Sequence, residues 1–310
     1  MIFIEMDHKG FIDNGIKNIR EQVGSEKGLV ALSGGVDSSV VAIMAHKALG
    51  DKLEAYFIDD YFRKKDEYEF VKRIFEGQGI DVRLCDIRNE MFKKLEGVSD
   101  NSIKRPLFKD VTFRALGKVY EEIGAKYFFL GTNKADKKMF EKGQDQHNVG
   151  VNFGDYGIEN VIEPLEDLYK DQIRQVAREL GLPKEISERQ PFPGPGLLIR
   201  CLGEVTREKL DLIREGLAVA EEELSPYNPF QVVVAISDDL VCSMGARAIP
   251  DKYMLIVKAV KSKDAMTAKA IIPDRELKDA LESRLMTMSS KIGRVLWDTT
   301  DKPPATIEYI

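Results

Sequence analysis

The feature that most constrains the fold is a glycine-rich string, Ser33–Ser39, which reads Ser-Gly-Gly-Val-Asp-Ser-Ser. The residues before it, Gly28–Leu32, form a short apolar run that is typical of a buried strand. After it, Val40, Val41 and Met44 recur at the spacing of one helical face. The sequence therefore predicts a strand, a glycine-rich turn and a helix in direct succession.

The alternation of strand and helix patterns continues through the first half of the chain. Apolar runs predict strands at residues 53–58, 80–84 and 126–130, and helical spacing predicts helices at 12–23, 70–75 and 107–123. Such alternation is typical of an α/β fold, with a parallel sheet covered by helices on both faces. Ligands of these folds bind at the carboxyl ends of the strands. Both Ser33–Ser39 and the segment 131–133 are expected at such ends.

A proline-rich string marks the next change of pattern. Residues 190–196 read Gln-Pro-Phe-Pro-Gly-Pro-Gly, and three prolines with two glycines interrupt both helices and central strands. We therefore predict a domain junction, with a first domain at residues 1–188 and a second at 189–310. The second pattern predicts a smaller α+β domain, with helices at 206–224 and 274–290 and strands at 230–236, 253–260, 294–298 and 305–310.

Charge and composition exclude several classes of protein. The chain carries 46 Lys and Arg against 52 Asp and Glu, a net charge of -6, which argues against a protein that mainly coats nucleic acid. No apolar run approaches the roughly 18 residues of a membrane span, and the acidic amino terminus does not resemble a signal peptide. Cys85, Cys201 and Cys242 lie far apart and share no metal-ligand spacing with the histidines. A reduced, cytoplasmic protein is expected.

The glycine-rich string has the chemistry of a phosphate site. Gly34 and Gly35 let the backbone approach a ligand closely, and the start of the following helix offers free amides and a positive dipole end to a pyrophosphate. Asp37 supplies a hard oxygen ligand suited to Mg²⁺. The lysine of a Walker A motif is missing from the string, so it is not built to grip a γ-phosphate. The alternative is a plain glycine turn with a serine helix cap.

The string resembles the SGGxDS loop of the N-type ATP pyrophosphatases, and two further strings narrow the resemblance to the GMP synthases. These strings are Arg-Gln-Pro-Phe-Pro-Gly-Pro-Gly-Leu at residues 189–197 and Lys-Pro-Pro-Ala-Thr-Ile-Glu at residues 302–308. The resemblance implies an adenine nucleotide alpha-hydrolase-like fold and a carbon–nitrogen ligase that uses ATP and Mg²⁺. The implied reaction adenylylates XMP at its C2 oxygen, after which ammonia displaces AMP to give GMP.

The resemblance also implies partners. It covers residues 12–310, and no glutamine amidotransferase domain precedes it, so ammonia is expected from a separate glutaminase subunit or from solution. In the family, the second domain forms a homodimer and supplies a terminal segment to the nucleotide site. Neither nucleic acid nor a membrane is expected as a partner.

The resemblance assigns roles to particular residues. The implied ATP site consists of Ser33, Gly34, Gly35, Val36, Asp37, Ser38, Ser39, Ile58 and Gly131, with Asp37 also holding the metal. The implied XMP site consists of Arg189, Pro193, Gly194, Lys302, Thr306, Ile307 and Glu308. Of these, Lys302, Thr306 and the Ile307 amide are expected to bind the 5′-phosphate. The implied catalytic residues are Asp37, Asp136, His147 and Lys142.

The sequence departs from the family pattern near the expected chemistry. Tyr61 replaces a glycine at a turn that favours positive φ, which predicts backbone strain or a changed turn. Ala135 replaces a proline. The polar segment 134–155 predicts a long loop of the kind that forms a lid or binding loop. Within it, Gln144-Asp145-Gln146 stands where the family has Lys-Ser-His, so the lid lysine has no direct match and Lys142 is a nearby substitute.

These departures leave three functions open. The first is the ATP pyrophosphatase subunit of a GMP synthase. The second is a paralogous pyrophosphatase that adenylylates a different carbonyl, which the altered lid and the turn at Tyr61 favour. The third is a non-catalytic nucleotide-binding subunit that keeps the phosphate loop without the lid lysine.

Overall fold

A computed structural model describes residues 6–141, 149–241, 251–263 and 265–309 of the 310-residue chain. The chain forms two compact units. Unit 1 combines Met1–Asp60, Asp66–Ile87 and Lys109–Arg189, and unit 2 combines Tyr61–Lys65, Arg88–Phe108 and Gln190–Ile310. Each unit therefore draws on segments that are distant in sequence. The functional boundary between residues 188 and 189 stays a prediction.

Unit 1 is built on a five-stranded sheet. Its strands are β1 (Gly28–Leu32), β2 (Leu53–Asp59), β3 (Val82–Asp86), β4 (Tyr127–Phe129) and β5 (Val161–Ile162). The order across the sheet is β3-β2-β1-β4-β5, and every neighbouring pair is parallel. The register sets Gly28 beside Leu53 on one side and beside Tyr127 on the other. The parallel α/β sheet predicted from the sequence is confirmed.

The helices up to residue 187 include those that flank this sheet. They are α1 (His8–Val23), α2 (Val36–Leu49), α3 (Glu67–Glu76), α4 (Arg88–Leu95), α5 (Asn101–Glu122), α6 (Lys134–Glu141), α7 (Lys170–Glu179) and α8 (Lys184–Ser187). Of these, α4 belongs to unit 2, and α5 is divided between the units after Phe108. The helix predicted at residues 107–123 begins at Asn101 instead, ahead of the apolar pattern that indicated it.

The sheet of unit 1 is buried on both faces. Leu29 belongs to an apolar cluster with Phe113 and Leu116 of α5. Its neighbour Val30 belongs to a second cluster, which includes Val41 of α2. Successive strand residues point to opposite faces, so both faces need a cover of helices. Full burial of each large apolar side chain contributes about 1.5–3 kcal/mol, and this packing makes the sheet the platform for the loops at its carboxyl edge.

Unit 2 contains a mixed sheet with helices packed on it. The strands are β6 (Cys201–Leu202), β7 (Gln231–Val241), β8 (Lys252–Lys261), β9 (Lys269–Ala270) and β10 (Ile292–Trp297). Their order is β10-β8-β7-β6, and β9 pairs with β8. The pair β7–β8 is antiparallel, whereas β6–β7 and β8–β10 are parallel. The helix α9 (Arg207–Leu224) contacts β7, and α10 (Arg275–Met288) contacts β10. The predicted smaller α+β unit is confirmed.

Two local predictions are wrong. Residues 134–155 are not one continuous loop, because α6 occupies the first eight of them, and residues 142–148 lie outside the described part of the chain. The described tail at 305–309 consists of bends and irregular backbone instead of a strand. Lys302 makes an isolated bridge with Ala268. Pro303 and Pro304 have no backbone N–H with which to extend that bridge into a ladder.

Candidate active site

The phosphate loop, Ser33–Ser39, comprises the turn after β1 and the first residues of α2. Gly34 has a φ of +75°, a left-handed conformation that glycine adopts without steric cost. Gly35 is the N-cap of α2, with φ -76° and ψ 154°, and no described side chain caps the helix. The first amides of an α-helix have no partner within the helix. This helix start can therefore offer them, with its dipole, to an anion.

Serine hydroxyls brace the phosphate loop from within. Ser38 Oγ lies 3.1 Å from Ser33 Oγ and donates to the Gly35 carbonyl at 3.1 Å. Ser39 Oγ donates to the same carbonyl at 2.8 Å, and the Gly35 N–H donates to Ser33 Oγ at 3.4 Å. The alternative of a serine-capped helix does not hold, because the N-cap is glycine and the serines bind one another and the loop backbone.

Asp37, the predicted metal ligand, is paired with a lysine that sequence reasoning missed. Lys170 Nζ lies 2.8 Å from Asp37 Oδ2. Asp37 Oδ1 is buried and has no hydrogen-bond partner among the described residues. One carboxylate oxygen is therefore neutralised and the other can accept a further cation. The position of Lys170 could have indicated this pairing. It is the first residue of α7, where the helix dipole disfavours a cation, so a lysine there indicates a nearby negative partner.

The carboxyl end of β4 lies directly against the phosphate loop. A methyl group added at Gly131 would approach Ser38 N at 3.0 Å and Asp37 Cβ at 3.3 Å. The strands β1 and β4 are neighbours, so the segments that follow them meet at one edge of the sheet. The structure thus brings Gly131 and the phosphate loop together. Ile58 lies near the carboxyl end of β2, which pairs with β1 on its other side.

Asp136, one of the predicted catalytic residues, takes part in the cap of α6. Asn133 Oδ1 accepts hydrogen bonds from the N–H of Ala135 at 2.9 Å and of Asp136 at 3.1 Å. Asp136 Oδ2 in turn accepts one from the Asn133 N–H at 3.2 Å. This reciprocal cap explains why α6 forms in a segment without a helical apolar pattern. Two other predicted catalytic residues, Lys142 and His147, lie outside the described residues.

Positive charge also gathers around Tyr169, the residue before Lys170. Lys134 Nζ lies 5.6 Å and Lys138 Nζ 5.1 Å from the centroid of its ring. Lys138 donates a hydrogen bond to the Tyr169 hydroxyl, and this bond lowers the pKa of that hydroxyl. These lysines of α6, with Lys170, add cations to the carboxyl edge of unit 1.

Arg189, a predicted XMP ligand, belongs to unit 1 and contacts the phosphate loop. Its Nη1 donates to the Gly34 carbonyl at 2.9 Å. The same guanidinium binds Glu67 through Nη1–Oε1 and Nη2–Oε2, both at 2.6 Å. It also stacks 5.0 Å from the centroid of the Phe70 ring. The structure therefore places Arg189 beside the residues predicted to bind ATP.

A second candidate site is a cavity of about 490 Å³ in unit 2. Its floor carries charge, because Lys258 Nζ lies 2.9 Å from Asp298 Oδ2 and the Lys258 side chain is 2% exposed. Tyr309 Oη donates to the same carboxylate at 2.9 Å. Burial pushes the pKa of Asp298 upward, but hydrogen bonds from Lys258, Thr300 and Tyr309 outweigh it and lower the pKa to about 2. Lys258 was missed, although a lysine inside a predicted apolar strand signals a buried, partnered charge.

The predicted XMP ligands of the tail have different surroundings. Thr306 and Glu308 line the cavity. Ile307 is buried in an apolar cluster, and Lys302 Nζ donates to the Ala265 carbonyl at 2.9 Å. Glu308 is held by Arg200 through Nε at 3.0 Å and Nη2 at 2.7 Å, and by Gln231 Nε2 at 2.5 Å. Neither Arg200 nor Gln231 was identified from the sequence.

The proline-rich turn holds the remaining predicted XMP ligands, Pro193 and Gly194. The Pro193 carbonyl accepts a hydrogen bond from the Gly196 N–H at 2.9 Å. The Gly194 carbonyl accepts one from Arg63 Nη2 at 2.9 Å. The turn is thus fixed by hydrogen bonds inside unit 2.

Other classes of site find little support in the described residues. Burial raises the pKa of the Cys201 thiol, which makes it a poor nucleophile. Across the described ranges, no group of three or more His, Cys, Asp or Glu side chains could hold a metal ion. None of the helices within those ranges is both long and apolar enough to cross a bilayer.

Comparisons with known proteins identify the families that the chain resembles. A family model described as NAD synthase matches residues 10–194, and one described as GMP synthase C terminal domain matches residues 230–309. A solved NMN synthetase from Francisella tularensis shares the fold at a TM-score of 0.51 and 18% identity, covering 68% of this chain and 87% of that chain.

Curated relatives match nearly the whole chain, and each is one subunit of a glutamine-hydrolyzing GMP synthase. The relative from Archaeoglobus fulgidus is 44% identical, over 98% of this chain and 100% of its own. The relative from Pyrococcus furiosus is 41% identical over 96% of both chains. The relative from Methanocella arvoryzae is 40% identical over 98% of this chain and 99% of its own. With this degree of identity over almost its full length, the chain belongs to the family of these GMP synthase subunits.

Proposed function

We propose that the chain is the ATP pyrophosphatase subunit of a GMP synthase, a carbon–nitrogen ligase that converts XMP to GMP. The observation that carries the proposal is the phosphate loop at the amino terminus of α2, with Lys170 on Asp37 and Gly131 against its backbone. The names of the relatives support GMP synthesis as the reaction. The match of residues 230–309 to a GMP synthase domain supports a role for unit 2 in binding XMP.

In the proposed reaction, the C2 oxygen of XMP attacks the α-phosphorus of ATP, and the bond from that phosphorus to the pyrophosphate oxygen breaks. The helix amides of the phosphate loop, which Ser33, Ser38 and Ser39 hold in place through their hydroxyls, bind the departing pyrophosphate. Lys170 adds a cation beside them. Ammonia then attacks C2, AMP leaves with the former C2 oxygen, and the new nitrogen loses a proton. Positioning and charge stabilisation suffice, so no protein nucleophile is required.

Mg²⁺ fits the phosphate loop through Asp37. The ion prefers carboxylate and phosphate oxygens, and Asp37 Oδ1 is a buried carboxylate oxygen without a hydrogen-bond partner in the described part of the chain. When bound, the ion would neutralise charge on the ATP phosphates. Lys170 holds the other oxygen, Oδ2, and so orients the Asp37 carboxylate.

We assign the XMP monophosphate to the tail of unit 2. Lys302, Thr306 and the Ile307 amide are the proposed phosphate ligands. The Thr306 hydroxyl donates to the Glu308 carbonyl in this structure and would turn from it to the phosphate on binding. The cavity beside Thr306 and Glu308 has the volume of a small-molecule site. Arg200 fixes the Glu308 carboxylate by donating two hydrogen bonds to it. Pro193 and Gly194 are proposed to border the purine.

The proposal includes partners. A separate glutaminase subunit would supply ammonia, as the glutamine-hydrolyzing designation of the relatives suggests for those proteins. We include a homodimer formed through unit 2, to whose interface the exposed apolar side chains of that unit would contribute. These are Ile103, Leu240, Met266, Ile272 and Leu296. A cytoplasmic location completes the proposal.

The decisive assay supplies the purified chain with ATP, Mg²⁺, ammonium and XMP and follows pyrophosphate and GMP together. Both products should appear in equal amounts, and neither should form without XMP. Pyrophosphate release that needs another carbonyl compound and not XMP would favour the paralogous reaction. ATP binding without any turnover would favour a non-catalytic subunit.

Two variants sharpen this assay. Asp37→Asn should abolish pyrophosphate release, because it removes the carboxylate proposed to bind Mg²⁺. Asp51→Asn is the matched control, since Asp51 is an exposed aspartate of the same unit.

Light scattering tests the homodimer. The chain should show twice the mass of one copy, and Ile272→Asp should shift this mass towards that of the monomer.

A further inference from the structure

The hydrogen bond between Arg189 and the phosphate loop indicates that Arg189 has a role in the conformation of that loop. Arg189 Nη1 is shared between the Gly34 carbonyl at 2.9 Å and Glu67 Oε1 at 2.6 Å. The side chains of Arg189 and Glu67 are 15% and 6% exposed. A charged pair this far removed from water needs further hydrogen-bond partners for both of its members. Here the third partner is the backbone of the phosphate loop itself.

The contact fixes one particular peptide group. Gly34 and Gly35 flank this peptide, and glycines allow it to rotate at little steric cost. In a planar trans peptide, the carbonyl oxygen and the amide hydrogen point in opposite directions. When Arg189 holds the Gly34 carbonyl, the Gly35 N–H must therefore point to the other side. On that side it meets Ser33 Oγ, at 3.4 Å.

The surroundings of Gly34 explain why an arginine and a glycine are both needed. A methyl group at Gly34 would overlap Glu67 Oε1 and lie 2.7 Å from Arg189 Nη1. The planar fork of arginine donates in parallel to both oxygens of Glu67 and keeps a further N–H on Nη1 for the Gly34 carbonyl. Phe70 stacks on the guanidinium and Glu67 holds its two nitrogens. The guanidinium is thus oriented before it meets the loop.

We propose that Arg189 is a positioning residue for pyrophosphate binding: it holds the Gly34–Gly35 peptide in the orientation that presents the Gly35 N–H on the serine side of the phosphate loop. Glu67 acts through Arg189 by fixing the guanidinium. The inference rests on the proposed function only in that the phosphate loop binds the pyrophosphate part of ATP. Arg189 itself need not touch XMP.

The test measures the dissociation constant of inorganic pyrophosphate, with Mg²⁺, by calorimetry on the purified chain. Arg189→Met should raise this constant roughly ten- to one-hundred-fold, the effect of losing an oriented donor to a charged group. It should also lower the unfolding midpoint, because Glu67 is left buried without its cation. Arg189→Lys keeps the charge but not the fork, so its dissociation constant should lie between those of the wild type and Arg189→Met.

The double variant Glu67→Leu/Arg189→Met separates positioning from stability. It removes both charges, so the unfolding midpoint should recover, while pyrophosphate binding should stay as weak as in Arg189→Met. Arg178→Met is the matched control, because Arg178 pairs with Glu188 at the surface of the same unit; it should bind pyrophosphate as the wild type does.

Two results have opposite meanings. A double variant that binds pyrophosphate as tightly as the wild type would overturn the positioning role and leave the proposed function intact. A wild-type chain that binds pyrophosphate but forms no GMP from XMP would overturn the proposed function, while the loss of binding in the double variant would still support Arg189 as the positioning residue.

Discussion

Lys170 Nζ lies 2.8 Å from Asp37 Oδ2, across 133 residues of sequence. The contact joins the first turn of α7 to the first turn of α2, and so brings a cation to the mouth of the phosphate loop. The sequence has no match to the family lysine of the lid, and residues 142–148, where that lysine would stand, lie outside the described residues. Lys170 provides positive charge at the loop from a packed helix, independently of that segment.

Lys170→Met should lower kcat/KM for ATP by roughly one-hundred-fold, because a preorganised charge beside a departing anion contributes about two powers of ten or more. Steady-state kinetics at saturating XMP and ammonium measures the effect. Lys184→Met is the control, since Lys184 is likewise the exposed first residue of a helix in unit 1, but the salt bridge to Asp37 is made by Lys170. If the two variants have equal kcat/KM, Lys170 has no part in binding or turning over ATP.

Gly131→Ala tests the close packing of β4 on the phosphate loop. The new methyl group would lie 3.0 Å from Ser38 N, tighter than ordinary contact, so the loop must shift. We expect KM for ATP to rise about tenfold, as a displaced amide donor binds the phosphate less well. At Gly154 the nearest heavy atom would be 3.4 Å away, so Gly154→Ala should leave KM unchanged. An unaffected Gly131→Ala enzyme would mean that the loop tolerates displacement at this edge.

The fold could be predicted because its signals are local. The inner strands of the parallel sheet are short apolar runs, and the glycine-rich string marks the central strand–helix turn in the sequence itself. The tail was misjudged because its apolar residues suggested a strand, while Pro303 and Pro304 prevent a ladder. The cap made by Asn133 and Asp136 could have indicated α6, but the polar composition hid it.

The candidate site could be predicted only in part, because its electrostatics depend on contacts between distant segments. Arg189 and Gly34 are 155 residues apart, yet they share a hydrogen bond. Family resemblance named Arg189 and Asp37 but not their partners, Glu67 and Lys170. Those partners follow from the packing of helices on the sheet, which no local pattern encodes.

Tyr61 tests the strain expected from the sequence. The structure confirms a positive φ, +71°, at this non-glycine residue. Replacing it with alanine or glycine removes the same ring contacts, including Arg214 at 4.6 Å from the ring centroid and the hydroxyl bond to Asp211. Tyr61→Gly should then be more stable than Tyr61→Ala by about 1 kcal/mol, the cost of a left-handed backbone for an L-residue.

Urea unfolding measures this difference, and Lys17 supplies the control. Lys17 is an exposed residue within α1, where alanine should be more stable than glycine by about 1 kcal/mol. The order of the two variants should therefore reverse between the two positions. The same order at both positions would show that Tyr61 stores no backbone strain.

The last prediction concerns acid stability through Asp298. Its pKa is about 2 in the folded chain against an ordinary 3.8, because hydrogen bonds from Lys258 and other donors outweigh the effect of burial. A carboxylate whose pKa is lower in the folded than in the unfolded chain stabilises the fold at every pH above its unfolded pKa. This stabilisation is lost as the pH falls through the pKa of the folded chain. The ionised carboxylate should contribute about 2 kcal/mol at pH 7, and roughly half of that should be lost by pH 3.

Asp298→Asn should therefore lower the free energy of unfolding most at neutral pH, by at least about 2 kcal/mol, since Lys258 also loses its buried counter-charge. The difference in unfolding free energy between the variant and the wild type should narrow as the pH falls from 4 towards 3. Urea unfolding at each pH measures this difference. Asp279→Asn, at an exposed aspartate of α10, is the control and should show only a small difference at pH 7. If the difference in unfolding free energy between Asp298→Asn and the wild type stays constant from pH 7 to pH 3, Asp298 does not have the lowered pKa. The charged pair with Lys258 in the cavity of unit 2 would then be contradicted.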